Sequence, residues 1–220
     1  MVGLLAGLGC RAEPEALRDA YRAGWQQAEV VRATGIDVSS REQVVLFLDA
    51  LDPALRPALS PGQFQAIADE YAEGLVSWPP DAVPGAAEAL AACRAAGTRT
   101  ALVSNTGSTP GRVLRRTLRT LGLAEYLDVW VFSDEIRLSK PVPAIFKHTL
   151  AALHTDPAET LFVGDTPELD VIGAKAAGMW MLQLGLKSGP GPRADLRAAD
   201  LRGFVAALHR AGLQLAPARI

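Results

Sequence analysis

A hydroxyl, a lysine and two carboxylates stand in this sequence just after short apolar runs. Ser104 closes one run, Lys140 follows the next after a loop, and Asp165 and Asp170 follow a third. A hydroxyl can hold phosphoryl oxygens, a lysine supplies a compact positive charge, and acidic side chains can hold Mg²⁺. Together they could stabilise the charge on a transferring phosphoryl group, but the set contains no attacking atom.

From about residue 84 onward, apolar runs alternate with amphipathic segments. The pattern predicts strands at 98–104, 129–133, 160–164 and 180–184, and helices at 86–96, 111–121, 143–153, 168–177 and 201–211. This alternation is typical of an α/β fold with a doubly wound parallel sheet. Because ligands bind outside the carboxyl ends of such strands, we expect the four polar residues to meet at one edge.

The first part of the chain has a different sequence pattern. Residues 1–80 show helical patterns only, with segments at 15–31, at 41–51 and from Ser60 onward. Prolines around residue 79 end the helical pattern before the alternating strands and helices begin. We therefore predict a helical domain at 1–80 and an α/β domain at 81–220.

Composition excludes several classes of partner. The net charge is −2, so no strong field would attract nucleic acid or an anionic membrane. The basic run at 112–119 is interpreted as a solvated helix face. No stretch approaches 18 apolar residues, and the two cysteines lack metal-ligand spacing, as expected of a cytoplasmic protein. The sequence leaves the oligomeric state open.

Residues 84–185 resemble the core of the haloacid dehalogenase (HAD) superfamily, in its metal-dependent phosphatase branch. Three motifs carry the resemblance in order: V-S-N-T at 103–106, S-K-P-V-P-A-I-F at 139–146, and F-V-G-D at 162–165 followed by Asp170. The segment G-A-K-A-A-G-M at 173–179 also fits. The resemblance implies a HAD-like Rossmannoid core, with residues 1–80 as a helical cap that shields the site and selects the substrate.

The resemblance also implies roles for individual residues. Ser104 and Lys140 would be catalytic, and Ser104, Asn105 and Thr106 would bind the phosphoryl group of a small phosphorylated metabolite. Asp165 and Asp170 would bind the cofactor Mg²⁺. One departure is Val142, which stands where the family often has an acidic residue.

The family's first motif, D-x-D-x-T, does not occur in this chain. Its first aspartate is the family's nucleophile, so we expect the 220 residues to be inactive by the family mechanism. The strand that carries this motif is central in the family, and we expect it to be missing, which would leave two rows of backbone groups unpaired. A late start, a truncated record with roughly 15–25 residues absent, and a true non-catalytic paralogue all remain open.

Three functions remain open as well. The first is hydrolysis of phosphate monoesters, the second a non-catalytic module that binds a phosphorylated ligand, and the third a dehalogenase-type hydrolase. The dehalogenases need no metal and lack the acidic fourth motif of the family, which F-V-G-D and Asp170 resemble here, so Asp165 and Asp170 favour the phosphatase. Each site residue also has an ordinary explanation: Ser104 as a helix cap, Lys140 as an exposed lysine, and the aspartates as turn or helix-start residues.

Overall fold

Helices alone form the first part of the computed structural model, which describes residues 1–185, 187, 189 and 191–217. They are α1 Val2–Gly7, α2 Pro14–Arg32, α3 Ser40–Leu51, α4 Leu55–Ala58, α5 Pro61–Ala72 and α6 Gly74–Ser77. Capping boxes at Ser39 and Ser60 begin α3 and α5, because each serine accepts from a backbone N–H that the helix leaves free. None of the described helices is both long and apolar enough to cross a bilayer.

These helices share a hydrophobic core of their own. Its buried members come from five of the six helices, α1 to α5: Leu5, Leu17, Ala20, Val44, Phe47, Leu48, Leu55, Phe64, Ile67 and Ala68. The two helices α2 and α3 pack especially closely, because a Cβ at Gly24 would lie only 3.0 Å from the backbone N of Phe47. Helix-period patterning therefore correctly predicted an all-helical layer.

Strands and helices alternate in the rest of the chain, as predicted. The strands are β1 Ala101–Ser104, β2 Val129–Phe132, β3 Leu161–Gly164, β4 Trp180–Leu184 and β5 Leu196–Ala198. The helices are α7 Ala86–Ala95, α8 Gly111–Thr120, α9 Ser133–Ile136, α10 Pro143–Leu153, α11 Ile172–Ala176 and α12 Phe204–Arg210. Short 3₁₀ turns lie at Ala124–Tyr126 and Pro157–Glu159, and a π-helical turn lies at Pro167–Val171.

Both faces of the strands are covered by helices, which confirms the doubly wound architecture. Met181 and Leu182 are neighbours on β4, are both fully buried, and point to opposite faces. Met181 joins the core that α10 and α11 complete with residues such as Phe146. Leu182 joins the core that α7 and α12 complete with residues such as Phe204.

All strand pairs are parallel, but the described strands form two sheets rather than one. One sheet is β1–β2 and the other is β3–β4–β5. The facing parts of β1 and β3, together with the segments that lead into them, line a common cleft of about 560 Å³. Every residue of β1 and β3 is only half-buried, although both strands are mostly apolar. That a further strand belongs in this cleft stays a prediction.

The helical layer contacts the α/β part through ion pairs on α8. Arg112 of α8 lies 2.9 Å from Asp69 of α5, and Arg116 donates to both oxygens of Glu73 at 3.0 and 2.6 Å. The interpretation of this basic run as a solvated face was therefore incomplete. These arginines are about half exposed, but they pair with the acidic end of α5.

Candidate functional site

Ser104 is the last residue of β1, and its hydroxyl is largely uncommitted. Its one described hydrogen bond is a weak one of 3.4 Å to the carbonyl of Asn105. The residue is half-buried at the carboxyl end of the strand, where the sheet edge faces the loops. A hydroxyl in this position can donate to an incoming oxyanion without first giving up a strong partner.

Asn105 joins the loop after β1 to the loop that carries Lys140. Its Nδ2 donates to the carbonyl of Lys140 at 3.1 Å, and its Oδ1 accepts from the N–H of Lys140 at 2.8 Å. We predicted that Asn105 binds substrate, whereas the structure places both ends of its amide on the backbone of Lys140. Its contribution in this arrangement is to fix the lysine.

Thr106 faces the interior and pairs with Ser133. The N–H of Thr106 donates to Oγ of Ser133 at 2.9 Å, and the two hydroxyls lie 3.3 Å apart. Thr106 is 5% exposed and Ser133 is fully buried. Ser133 was not singled out in the sequence, although it directly follows β2 and the strand-end rule would have pointed to it. Of the three predicted phosphate-binding residues, Ser104 and Thr106 carry hydroxyls, and that of Ser104 is the one that is not turned to the interior.

Lys140 is held by the carboxylate of Asp170. Its Nζ lies 2.7 Å from Oδ1 of Asp170, and the two side chains are only 12% and 4% exposed. Oδ2 of Asp170 accepts from the backbone N–H groups of Asp165 and Thr166, both at 3.0 Å. A Cβ at Gly164 would collide with the Asp170 carboxylate, which explains the glycine before Asp165.

Asp165 is exposed and faces a lysine that follows β4. Its Oδ2 lies 2.8 Å from Nζ of Lys187, and both side chains are about 60% exposed. The hydrogen bond from Lys187 is the main reason why the pKa of Asp165 is lowered, so the carboxylate is ionised at neutral pH. Lys187 was not predicted, but its position after the carboxyl end of a strand is the signal that could have found it.

The donor set fits Mg²⁺ only in part. Mg²⁺ keeps several waters and takes one or two protein carboxylates, and Asp165 can provide one of them. Asp170 would have to release Lys140 or two N–H groups to provide another. Within the described residues, no three acidic, histidine or cysteine side chains cluster as a metal site. The assignment of both aspartates to a metal stays a prediction.

Other motif residues serve packing. Phe146, the last residue of the segment 139–146 that resembles the family's third motif, is fully buried and packs edge-on against Phe162 of β3 at 5.1 Å between ring centroids. A Cβ at Gly173 would collide with the ring of Phe146. The glycine therefore lets α11 approach α10 closely, which places the turn containing Asp170 beside Lys140.

Comparisons with known proteins find one family model and several similar proteins. The family model of the haloacid dehalogenase-like hydrolases matches residues 11–178. The chain is 31% identical over 172 residues to a ribulose-1,5-bisphosphate 5-phosphatase from Halopiger xanaduensis, covering 78% of this chain and 69% of that protein. It is 37% identical over 123 residues to a phosphoserine phosphatase from Thermus thermophilus, covering 54% of this chain and 48% of that one.

A solved structure is similar over a larger share of its length. A HAD phosphatase from Thermococcus onnurineus superposes with a TM-score of 0.55 at 25% identity, over 87% of this chain and 90% of that one. Haloacid dehalogenases also occur among the similar proteins and structures. The matched segment spans about half of the phosphoserine phosphatase, so activity and substrate cannot be transferred from that relative as a whole.

Proposed function

Because this chain belongs to the haloacid dehalogenase-like hydrolases, we propose that it serves the Mg²⁺-dependent hydrolysis of a small phosphate monoester. The observation that carries the proposal is the buried lysine at the strand ends, held 2.7 Å from Asp170 and locked by Asn105. A largely buried ammonium and a serine hydroxyl with only one weak described partner are suited to holding an oxyanion. The relatives that act on ribulose bisphosphate and phosphoserine support a phosphorylated metabolite as the substrate class.

Each side chain has a role in this proposal. Ser104 donates its hydroxyl to a phosphoryl oxygen, and the ammonium of Lys140 neutralises charge on the phosphate while Asp170 holds it in place. Asp165 would hold Mg²⁺ through the carboxylate that now pairs with Lys187. When bound, the metal ion would neutralise phosphoryl oxygens and lower the cost of the charge that develops there.

The helices of residues 1–80 act in this proposal as a cap. They have a core of their own, and α5 pairs with α8, the helix that follows the Ser104 loop. A layer placed over the strand ends excludes water and contacts the part of the substrate that is not transferred. The boundary between this cap and the α/β core, at about residue 80, is part of the proposal.

The attacking carboxylate needs a different source, because the sequence contains no Asp-x-Asp pair. We propose that it is carried by a parallel strand lying in the cleft between β1 and β3. The carboxyl end of such a strand would lie between the ends of β1 and β3, which are marked by Ser104 and Asp165. From that position an aspartate could reach the phosphorus atom of a phosphate group held at both strand ends.

A phosphate-binding module without catalysis is the second candidate. It is favoured by the combination of an intact Lys140–Asp170 pair with a sequence that has no Asp-x-Asp nucleophile. Such a module would bind a phosphorylated ligand at the same residues and release it unchanged. A dehalogenase is less well supported, because the exposed carboxylate of Asp165 has no role in a reaction without metal.

Two measurements test the proposal. Titration of the chain with inorganic phosphate, with and without Mg²⁺, should show saturable binding that Lys140→Met abolishes and Lys147→Met retains. Lys147 is a matched control because it is an exposed lysine on α10, outside the site. Absence of phosphate binding would contradict both the hydrolase and the binding module.

The second measurement separates these two candidates. The chain is expressed together with the in-frame codons upstream of Met1 and assayed for phosphate release from a panel of phosphate monoesters with Mg²⁺. Release that depends on both Mg²⁺ and an upstream aspartate supports the hydrolase. Binding without release supports the module, and halide release without metal would support the dehalogenase.

A further inference from the structure

A buried ion pair lies at the end of α2, outside the residues discussed so far. Nε of Arg32 donates to Oδ1 of Asp37 at 2.6 Å, and the side chains are 7% and 0% exposed. The same oxygen accepts from the N–H of Val38 at 2.7 Å, and Arg32 also contacts Glu29 at 2.8 Å. Burying two charges is costly even when they are paired, so a buried ion pair adds little net stability to a fold.

The polar groups around this pair are incompletely satisfied. Nη2 of Arg32, Oδ2 of Asp37 and Oε1 of Gln43 are buried and have no hydrogen-bond partner among the described residues. Unpaired buried polar atoms weaken a fold, and in native proteins each calls for an explanation. Apolar residues would fill the same space at lower cost, so stability does not explain these polar groups.

On one side the group contacts the loop that carries Lys140. The N–H of Ser139 donates to the carbonyl of Gly35 at 3.1 Å, and the N–H of Asp37 donates to the carbonyl of Arg137 at 3.3 Å. The hydroxyl of Ser139 lies 3.4 Å from the carbonyl of Arg32. The segment between Arg32 and Asp37 therefore runs beside 137–139 as an antiparallel partner, immediately before the lysine.

On the other side the group contacts the loop after Ser104. Nε2 of Gln43 donates to the carbonyl of Gly107 and, at 3.3 Å, to the carbonyl of Val38. A Cβ at Gly107 would lie 2.8 Å from the ring of Trp25, and the guanidinium of Arg32 lies 5.0 Å from the centre of the same ring. One buried cluster thus contacts both loops that Asn105 joins.

We propose that Asp37 is a positioning residue for the site. By fixing Arg32 and the turn that follows α2, it holds loops 105–107 and 137–140 in the arrangement in which Asn105 locks Lys140. The expected effect on phosphate binding rests on the proposed function. The expected effect on the two loops does not depend on it. Asp37 touches no reacting group and acts through the backbone of the two loops.

The variant Asp37→Asn tests the proposal against the control Asp19→Asn. Asp19 lies in α2, and its pair with Arg22 is exposed to solvent. Two quantities are measured on the whole chain well below the melting temperature of each variant. They are the dissociation constant for inorganic phosphate and the hydrogen–deuterium exchange rate of amides in 105–107, 137–140 and 165–171.

We expect Asp37→Asn to weaken phosphate binding about tenfold, because small misplacements of binding groups are costly. It should also speed exchange in 105–107 and 137–140 but leave 165–171 unchanged, while Asp19→Asn changes neither quantity. A role in stability alone would lower the melting temperature and leave both quantities as in the wild type. That result would overturn the proposal.

Two further outcomes are also decisive. If Asp37→Asn does not fold, Gln43→Leu takes its place, since it fills the same volume and removes the bond to Gly107. Unchanged exchange in 105–107 would then overturn the proposal, and faster exchange would support it. If the wild type binds no phosphate, the phosphate-ester function fails, and the exchange pattern alone decides whether Asp37 positions the loops.

Discussion

The ammonium of Lys140 lies 2.7 Å from Oδ1 of Asp170, and Oδ2 of the same aspartate accepts from two backbone N–H groups. The lysine is thereby tied to the turn after β3, although it comes from the loop after β2. Replacing Lys140 by Met leaves a buried carboxylate without its cation. We expect the free energy of unfolding in urea to fall by about 3 kcal/mol.

The control for this prediction is Lys147→Met, which removes an exposed lysine from α10 and should change stability by less than about 0.5 kcal/mol. Equal stability of the two variants would show that the Lys140–Asp170 pair adds nothing to the fold. Asp170→Asn provides a second check, because it keeps the shape of the side chain and removes the charge.

Ser104→Ala should separate binding from stability. The hydroxyl has one weak described contact, so the free energy of unfolding should change by less than about 0.5 kcal/mol. Phosphate affinity should fall about tenfold, because a hydrogen bond to a charged group contributes roughly 1.5 kcal/mol or more. Calorimetric titration measures the affinity, and Ser77→Ala on α6 is an exposed control. An unchanged affinity would remove Ser104 from the site.

Asp165→Asn should abolish divalent metal binding at the site. The carboxylate of Asp165 is exposed and ionised. Outside its own turn, its one described polar partner is the ammonium of Lys187. Binding of Mn²⁺ as a probe, followed by electron paramagnetic resonance, should be lost in this variant. Asp200→Asn is the control, because Asp200 is also paired with a basic side chain at the surface. Retained Mn²⁺ binding would assign the metal elsewhere.

Glu42 should make stability depend on acid pH. Its pKa is lowered from 4.5 to about 2, chiefly by the hydrogen bond from Arg137. A depressed folded-state pKa stabilises the fold above pH 4.5, and this contribution is lost as the pH falls from there towards 2. Because the pair is about half exposed, the contribution should be below about 1 kcal/mol.

The measurement for Glu42 is the difference in unfolding free energy between the wild type and Glu42→Gln at pH 6 and at pH 2.5. The difference should be present at pH 6 and smaller at pH 2.5. Glu88→Gln, at an exposed position on α7, serves as the control. A difference that stays constant between the two pH values would contradict the assignment.

The pair of Glu73 and Arg116 should couple α5 to α8. A double-mutant cycle with Glu73→Gln and Arg116→Met should give a coupling energy below about 1 kcal/mol, since Arg116 is half exposed. The coupling should shrink in 1 M NaCl, where charges are screened within about 3 Å. A coupling that does not depend on salt would indicate contacts other than the ion pair.

Much of the fold could be predicted because strong local signals agree with tertiary packing. Helices α3 and α10 begin and end within one residue of the bounds that the sequence pattern predicted. Strand β5 was missed because Leu196–Ala198 is only three residues long and lacks β-branched side chains. The segment predicted as one helix at 168–177 is a π-helical turn followed by α11, since the turn must bring Asp170 back to the strand end.

The sequence by itself determined that a helical layer precedes an α/β part, that the strands run parallel, and that Ser104, Lys140 and Asp165 come at strand ends. Those features follow from periodicity and from polar residues placed after apolar runs, which are local along the chain. Only the tertiary structure decided that Asn105 fixes Lys140, that Asp170 holds the lysine, and that the buried cluster of Arg32, Asp37 and Gln43 contacts both loops. Such pairings join residues 30 or more positions apart in the chain, and they depend on which side chains burial brings within hydrogen-bond distance.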